Sequence, residues 1–194
     1  MDNKAKLQRD FFNELAPTWR DGYPISNERI AELLSPIPFS KDKSVLDVAC
    51  GSGVLDEYLL KVSGKVVAVD VADKMIEKAK ADPKNDGVEY HVCDYHEMSG
   101  KFDLIIVFDA YPHFVNKESF ALKACELLKD DGSVWIVFDD GRKQTDRHHK
   151  NLERGLSVPL GTPNEEAEKV AKYLTCVYHI ENESYYCLGL KKKN

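Results

Sequence analysis

Five short apolar runs, separated by amphipathic stretches, constrain this chain more than any other feature. "SVLDVA" (44–49), "KVVAVDV" (65–71), "VEYHVCD" (88–94), "FDLIIVF" (102–108) and "SVWIVF" (133–138) have the length and β-branched content of strands. Helical spacing marks the stretches at about 54–62, 73–81 and 117–129. Strands this apolar, alternating with helices, predict a parallel sheet covered on both faces. The end of the chain departs from the alternation. A polar segment (139–162) and a helix over 164–173 lead to "LTCVYHI" and "SYYCLGL", two strands joined by "ENE". So short a link makes them antiparallel neighbours, because a parallel pair needs a long crossover. Ahead of the sheet, Leu7, Phe11, Phe12 and Leu15 mark a helix that stops at Pro17. A second runs from Ser26, as N-cap, to Leu34 and ends before Pro36.

A length of 194 residues suits one domain with a real core. With 43% hydrophobic and 31% charged residues the chain is globular rather than disordered. A formal net charge of −6 leans away from a general nucleic-acid binder, and the lysines at 191–193 read as a solvated tail. The cysteines, Cys50, Cys93, Cys125, Cys176 and Cys187, are odd in number and form no CxxC pair. That usage fits a reduced, cytoplasmic protein better than a disulfide scaffold. No signal-peptide core and no run of membrane-span length is present, so no membrane partner is expected.

"VLDVACGSGVL" (45–55) sets Gly51 and Gly53 between the first strand and its helix. Ligands of such folds sit at the carboxyl ends of the strands, where glycine lets the backbone come close. Asp47 lies inside the first strand, and Asp70 ends the second, where an acid accepts both hydroxyls of a ribose. Two cofactor classes use this layout. A dinucleotide fingerprint would need a third glycine where Asp56 stands, and a carboxylate suits a pyrophosphate poorly. An NAD-dependent oxidoreductase is therefore disfavoured. A phosphate-free cofactor with a cationic sulfonium fits the acidic loop better.

These stretches resemble the class I S-adenosylmethionine-dependent methyltransferases. "LDVACGSG" resembles their first motif, "VVAVDVADKM" their ribose-binding motif, "HVCDYHEM" (91–98) their adenine-edge motif, and "ELLKDDGSVWIVF" the helix-turn-strand that follows. The resemblance is strong over about 40–138. It implies a Rossmann-like α/β fold with a doubly wound seven-stranded sheet in the order 3-2-1-4-5-7-6, the last strand antiparallel. It also implies S-adenosyl-L-methionine as cofactor, with S-adenosylhomocysteine as product. Asp47, Ala49, Gly51 and Gly53 would line the methionine side, and Asp70 would bind the ribose with Val71 and Met75 nearby. Asp94 would hold the adenine, flanked by Cys93 and Tyr95, and Phe108 and Asp109 complete the cofactor set. Met75 also reads as an ordinary core residue of a helix face.

In such a fold the end of the fourth strand is the acceptor side. "DAYPHF" (109–114) departs from the Asp/Asn-Pro-Pro-Tyr/Phe motif of amino-methylating relatives, which argues against DNA adenine or glutamine as acceptor. His113 titrates near neutrality and suits a general base, and Tyr111 and Phe114 suit a pocket wall. Further on, "FDDGRKQTDRHHKN" (138–151) places Arg142, Asp146 and His149 on one face if 142–150 is helical. This resembles a group of small stand-alone methyltransferases with an aromatic-Pro-His-Phe after the fourth strand and Arg-x-x-x-Asn-x-x-His after the fifth. Asp146 replaces the asparagine, and "GLSVPLGTP" (155–163) stands at the Gly/Pro stretch that follows. The resemblance implies that His113 and His149 converge, with Tyr111, on the methyl group; two histidines and a carboxylate would also suit a metal. "APTWRDGY" is a candidate lid, with Trp19 and Tyr23 over the cofactor.

The expected plan is one domain over 1–194: a helical cap at 1–40, a cofactor core at 41–138, and an acceptor-side segment with the hairpin at 139–194. The expected activity is methyl transfer to a small molecule. A non-catalytic S-adenosylmethionine binder or a metal-responsive protein is the alternative.

Overall fold

A computed structural model describes residues 3–19, 25–150 and 155–193, with 148–150 described by backbone alone. Tyr23 lies outside the described residues. Seven strands form one sheet, β1 (Ser44–Val48), β2 (Lys65–Asp70), β3 (Glu89–Val92), β4 (Phe102–Phe108), β5 (Leu128–Phe138), β6 (Leu174–Asn182) and β7 (Tyr185–Lys192). Their order is β3-β2-β1-β4-β5-β7-β6, as the resemblance implies. The chain divides into two compact units, Met1–Met98 and Ser99–Asn194.

In the first unit, β1, β2 and β3 pair in parallel, with Val45 beside Val66 and Val67 beside Glu89. Burial explains the apolar runs: every residue of β1 after Ser44 and of β2 after Lys65 is buried, as strands covered on both faces must be. β3 is an edge strand and has no buried residue. Around these strands lie α1 (Asn3–Leu15), α2 (Asn27–Leu33), α3 (Asp56–Val62) and α4 (Asp73–Ala81). Ser26 caps α2 by accepting the Arg29 N–H, as its residue type predicts. A 3₁₀ turn over Ala16–Thr18, with Pro17 at its start, ends the first helical stretch.

In the second unit, β4 and β5 are parallel, and β7 is antiparallel to both β5 and β6. The hairpin turns at residues 183 and 184, which confirms the antiparallel pair expected from "ENE". Three helices accompany the strands, α5 (Lys117–Leu127), α6 (Arg142–Lys150) and α7 (Pro163–Val170). One boundary differs from expectation. β5 starts at Leu128 rather than 133, because Leu128 already pairs with Phe102 before the register shifts to Leu104 beside Ser133. The interior is built from Leu104–Val107 on β4 and Val134–Val137 on β5, all buried, together with Leu188 and Leu190. Among the described residues no helix is long and apolar enough to cross a membrane.

Candidate active site

The carboxyl ends of β1 and β2 carry the first group of predicted residues. After β1 the chain winds through three left-handed residues at alternate positions, Ala49 (φ 57°), Gly51 (φ 55°) and Gly53 (φ 78°). Only glycine enters this region without strain, so Ala49 holds about 1 kcal/mol of backbone strain. The turn presents backbone N–H groups to Asp70. The Gly51 N–H donates to Asp70 Oδ2 (2.9 Å), and the Ala72 N–H donates to Oδ1 (2.8 Å). Burial raises the Asp70 pKa above the usual carboxylate range, against backbone donors at Ala72, Gly51 and Val71 that lower it. A carboxylate has about four acceptor sites, so the fixed group retains capacity for a ligand hydroxyl.

Asp47 is 1% exposed, and its Oδ2 has no hydrogen-bond partner among the described residues. Burial, then the charges of Asp56 and Asp70, push its pKa well up. Cys50 is raised for the same reasons, burial first and the three carboxylates after it. An unpartnered buried carboxylate is costly alone and is satisfied by a cationic ligand group.

Gly51 and Gly53 face different surroundings. A Cβ on Gly51 would meet only the Trp19 indole nitrogen, at 3.5 Å. A Cβ on Gly53 would lie 2.4 Å from Asp56 Oδ2 and 2.7 Å from Asn85 Nδ2. Gly51 is thus bordered by an aromatic side chain, and Gly53 is packed against polar interior groups. Trp19 rests on Ala16, Ala72 and Met75 and meets Phe12 edge-on at 5.8 Å. Lys78 Nζ donates to the carbonyls of Ala16 (3.3 Å) and Trp19 (2.9 Å) and holds the segment in place. Met75 is 1% exposed and belongs to this core cluster, the bland alternative that its helix position allowed.

Asp56 requires a correction. The sequence argument set its carboxylate beside the ligand loop. It does border Gly53, but from the interior side, fully buried, with Oδ2 accepting the Tyr90 hydroxyl from β3. Its Oδ1 has no partner among the described residues, and burial raises its carboxyl to about 6 against the Tyr90 hydrogen bond, so the argument from a carboxylate facing a pyrophosphate does not apply to this buried group. At the end of β3, Asp94 accepts the His96 N–H (2.8 Å), with the His96 Nδ1 at 2.9 Å. That histidine holds the Asp94 carboxyl below its usual pKa. Tyr95 is buried, and the Cys93 thiol donates to Met98 Sδ at 3.5 Å.

The second unit carries the remaining predicted residues. Phe108 is buried at the end of β4, and Asp109 follows with φ 53°. Asp109 is fixed at both ends: its N–H donates to the Val137 carbonyl (2.9 Å), and its Oδ1 accepts the Asp139 N–H (3.1 Å). A 3₁₀ turn over Tyr111–His113 comes next, started by Pro112. Tyr111 is fully buried and edge-on to Phe120 at 5.3 Å. Buried Lys117 spans the turn, with Nζ 3.5 Å from the Tyr111 ring centre and 2.7 Å from the Tyr111 carbonyl. Tyr111 is therefore part of the packed base of this turn. Its hydroxyl has no partner among the described residues, and burial first, then the Glu166 charge, push its pKa up.

His113 is half-buried, with Nδ1 3.0 Å from the Leu156 carbonyl. A carbonyl only accepts, so Nδ1 carries the proton and Nε2 is the basic nitrogen of the neutral ring. The residues expected on one face of α6 go to different partners. Arg142 Nε donates to Glu181 Oε1 (3.0 Å), and Asp146 Oδ1 accepts the Leu160 N–H (2.9 Å). His149 lies in α6, but its side chain is outside the described residues, so its expected meeting with His113 is not described. Among the described residues no group of three or more His, Cys, Asp or Glu side chains is arranged to hold a metal.

Sequence reasoning missed three participants. Tyr90 bonds Asp56, and Lys117 and Glu166 are buried, yet no motif of the sequence singled out any of the three. Glu166 is fully buried. Helical spacing could have found it: Glu166 lies three residues after Pro163 and four before Val170, on the buried face of α7, and exposed Glu165 does not.

Residues 45–132 match a protein-family model described as a methyltransferase domain. A human mitochondrial ubiquinone biosynthesis O-methyltransferase is 33% identical over 102 residues, covering 48% of this chain and 28% of the relative. The enzyme of the same name from Bordetella avium is 27% identical over 152 residues, 70% of this chain and 61% of the relative. The chain thus spans under two thirds of the length of these relatives. Among solved structures, the N-methyltransferase NodS from Bradyrhizobium japonicum, in complex with S-adenosylhomocysteine, superposes with a TM-score of 0.69 over the whole of both chains at 18% identity.

Proposed function

We propose that the chain is a class I S-adenosylmethionine-dependent methyltransferase and that it methylates a hydroxyl of a small molecule, a reading supported by the methyltransferase-domain match over residues 45–132. The observation that carries the cofactor assignment is the cradle after β1 and β2. Asp70 is fixed by the Gly51 and Ala72 N–H groups, and the buried Asp47 oxygen lacks a partner. The donor set fits S-adenosylmethionine: Asp70 takes a ribose hydroxyl, and Asp47 takes the ammonium of the methionine end. Bound there, the cofactor supplies an electrophilic methyl on a sulfonium. Trp19 beside Gly51 excludes water and offers a ring to the positive charge. Asp94 orients the adenine edge.

His113 removes the acceptor proton through Nε2. Attack in line on a sulfonium methyl needs little of the protein beyond positioning, but a hydroxyl must lose its proton as it reacts. The name of the curated relatives, O-methyltransferase, supports the same atom type. All five cysteines are free thiols, which suits the cytoplasm. The net charge of −6 suits a small-molecule acceptor rather than a nucleic acid.

The test is a thermal-shift and turnover experiment. S-adenosylhomocysteine at about one hundred times its Kd should stabilise the protein by about 2.7 kcal/mol, and NAD should not. With S-adenosylmethionine and a panel of phenols, thiols and amines, wild type should methylate phenols. His113→Ala should lower kcat by about 10²–10⁴-fold. Stabilisation by NAD alone would overturn the cofactor reading; undiminished turnover by His113→Ala would remove the base.

A further inference from the structure

Residues 155–162, ahead of α7, form a strap whose main chain is tied at Leu156, Val158, Leu160 and Gly161. The Leu156 carbonyl accepts from His113 Nδ1 (3.0 Å). The Val158 N–H donates to the Pro112 carbonyl (3.0 Å). The Leu160 N–H donates to Asp146 Oδ1 (2.9 Å), and the Gly161 N–H donates to Glu166 Oε1 (2.7 Å). Leu156 and Leu160 bury their side chains, each 2% exposed. Two ties thus fall on the turn that carries His113, and two fall on acidic side chains that fix the far end of the strap.

Both acids have partners that the sequence did not indicate. Asp146 lies on α6 but accepts a backbone N–H fourteen residues on. Glu166 is fully buried, and its Oε1 takes both Gly161 and the Lys169 ammonium (2.7 Å). Its Oε2 has no partner among the described residues, and neither do the buried hydroxyls of Tyr111 and Tyr186. Glu166 charge contributes to raising both tyrosines, after burial, so it sits within electrostatic reach of the His113 turn.

We propose that Asp146 and Glu166 are positioning residues that hold His113 in the Nδ1–H tautomer, by anchoring the strap whose Leu156 carbonyl receives that proton. The two imidazole nitrogens differ in role, and the hydrogen bond made by one decides which is left basic. A carbonyl held in place leaves Nε2 as the base. A strap that drifts lets the proton redistribute, and the ring then meets an acceptor with the wrong nitrogen for part of the time. Asparagine would serve at position 146 as well as aspartate, since its Oδ1 accepts the same N–H.

The catalytic consequence rests on the reading of His113 as the base; the tautomer does not. Long-range ¹H–¹⁵N spectra of the labelled protein should show a protonated Nδ1 and an unprotonated Nε2 for His113 near pH 8. Asp146→Ala and Glu166→Ala should give a mixed tautomer signature, and Asp146→Asn should recover the wild-type one. In turnover, Asp146→Ala should lower kcat about tenfold, leave the KM for S-adenosylmethionine in place and move the acidic limb of the pH profile. Asp146→Asn should recover most of that loss. A wild-type Nε2–H ring overturns the proposal even if Asp146→Ala does not fold, and so does an unmoved tautomer in a folded Asp146→Ala protein. A tautomer that shifts as stated, with turnover undiminished in both Asp146→Ala and His113→Ala, supports the strap and overturns only the base.

Discussion

Gly51 and Gly53 stand two residues apart with the same handedness and do different work. Alanine at either costs about 1–2 kcal/mol of backbone strain. At Gly53 it also collides with Asp56 and Asn85. Gly53→Ala should therefore lose at least about 2 kcal/mol of unfolding free energy, and Gly51→Ala should lose less but bind S-adenosylhomocysteine more weakly. Urea unfolding and calorimetric titration separate the two effects. Asp56 is the second residue whose environment decides its behaviour. Burial raises its carboxyl to about 6, against the Tyr90 hydrogen bond that lowers it. A carboxyl raised in the folded state binds its proton more tightly folded than unfolded. Its favourable contribution is present below the unfolded value of about 4 and is lost as pH rises through about 6. Asp56→Asn does not titrate. In urea unfolding of the ligand-free protein, wild type should lose up to about 3 kcal/mol relative to Asp56→Asn between about pH 4 and 7. Asp47 and Asp70, raised in the same sense, remain in both proteins.

At the scale of elements, ends matter more than middles. α7 begins with a full capping box: Thr162 Oγ1 accepts the Glu165 N–H (3.3 Å), and Glu165 Oε2 accepts the Thr162 N–H (2.7 Å). The same helix start receives the strap and sets Glu166 facing inward. Thr162→Ala should cost about 1 kcal/mol of unfolding free energy in urea. The strand-four turn is built the same way, by a proline that starts a 3₁₀ turn and a buried lysine that spans it. Helix and strand middles followed their periodicity: β4 occupies 102–108 and α4 occupies 73–81, both as the pattern predicts. β5 did not, because its first residues are strand only by pairing with Phe102, and pairing leaves no mark in a local pattern.

At the scale of the molecule, alternation and one short link set a mostly parallel sheet that ends in a hairpin, and the family resemblance implied its order. Five apolar strands with helices between them leave few right-handed arrangements, and "ENE" forces the closing hairpin. The strand-end and turn positions of Asp47, Gly51, Gly53 and Asp70 were legible for a similar reason, since connectivity places turn glycines and strand-end acids and sequence shows it directly, whereas Ala49 was named through the resemblance. What sequence could not show is which neighbour each side chain meets across the fold. It marked Asp56 as a ligand-facing acid, and packing gave that acid to Tyr90. It marked His113 as a candidate base, and the fold set its Nδ1 against the Leu156 carbonyl, forty-three residues on. It did not single out Glu166, which packing buries on the inner face of α7 beside Pro163 and Val170. Strands, turn positions and the closing hairpin follow from the period and spacing of residues along one chain, so the sequence alone determined them, and its family resemblance implied the strand order and the cofactor. Protonation, burial and partner choice depend on groups many residues apart, whose separation in space is set only when the layers close.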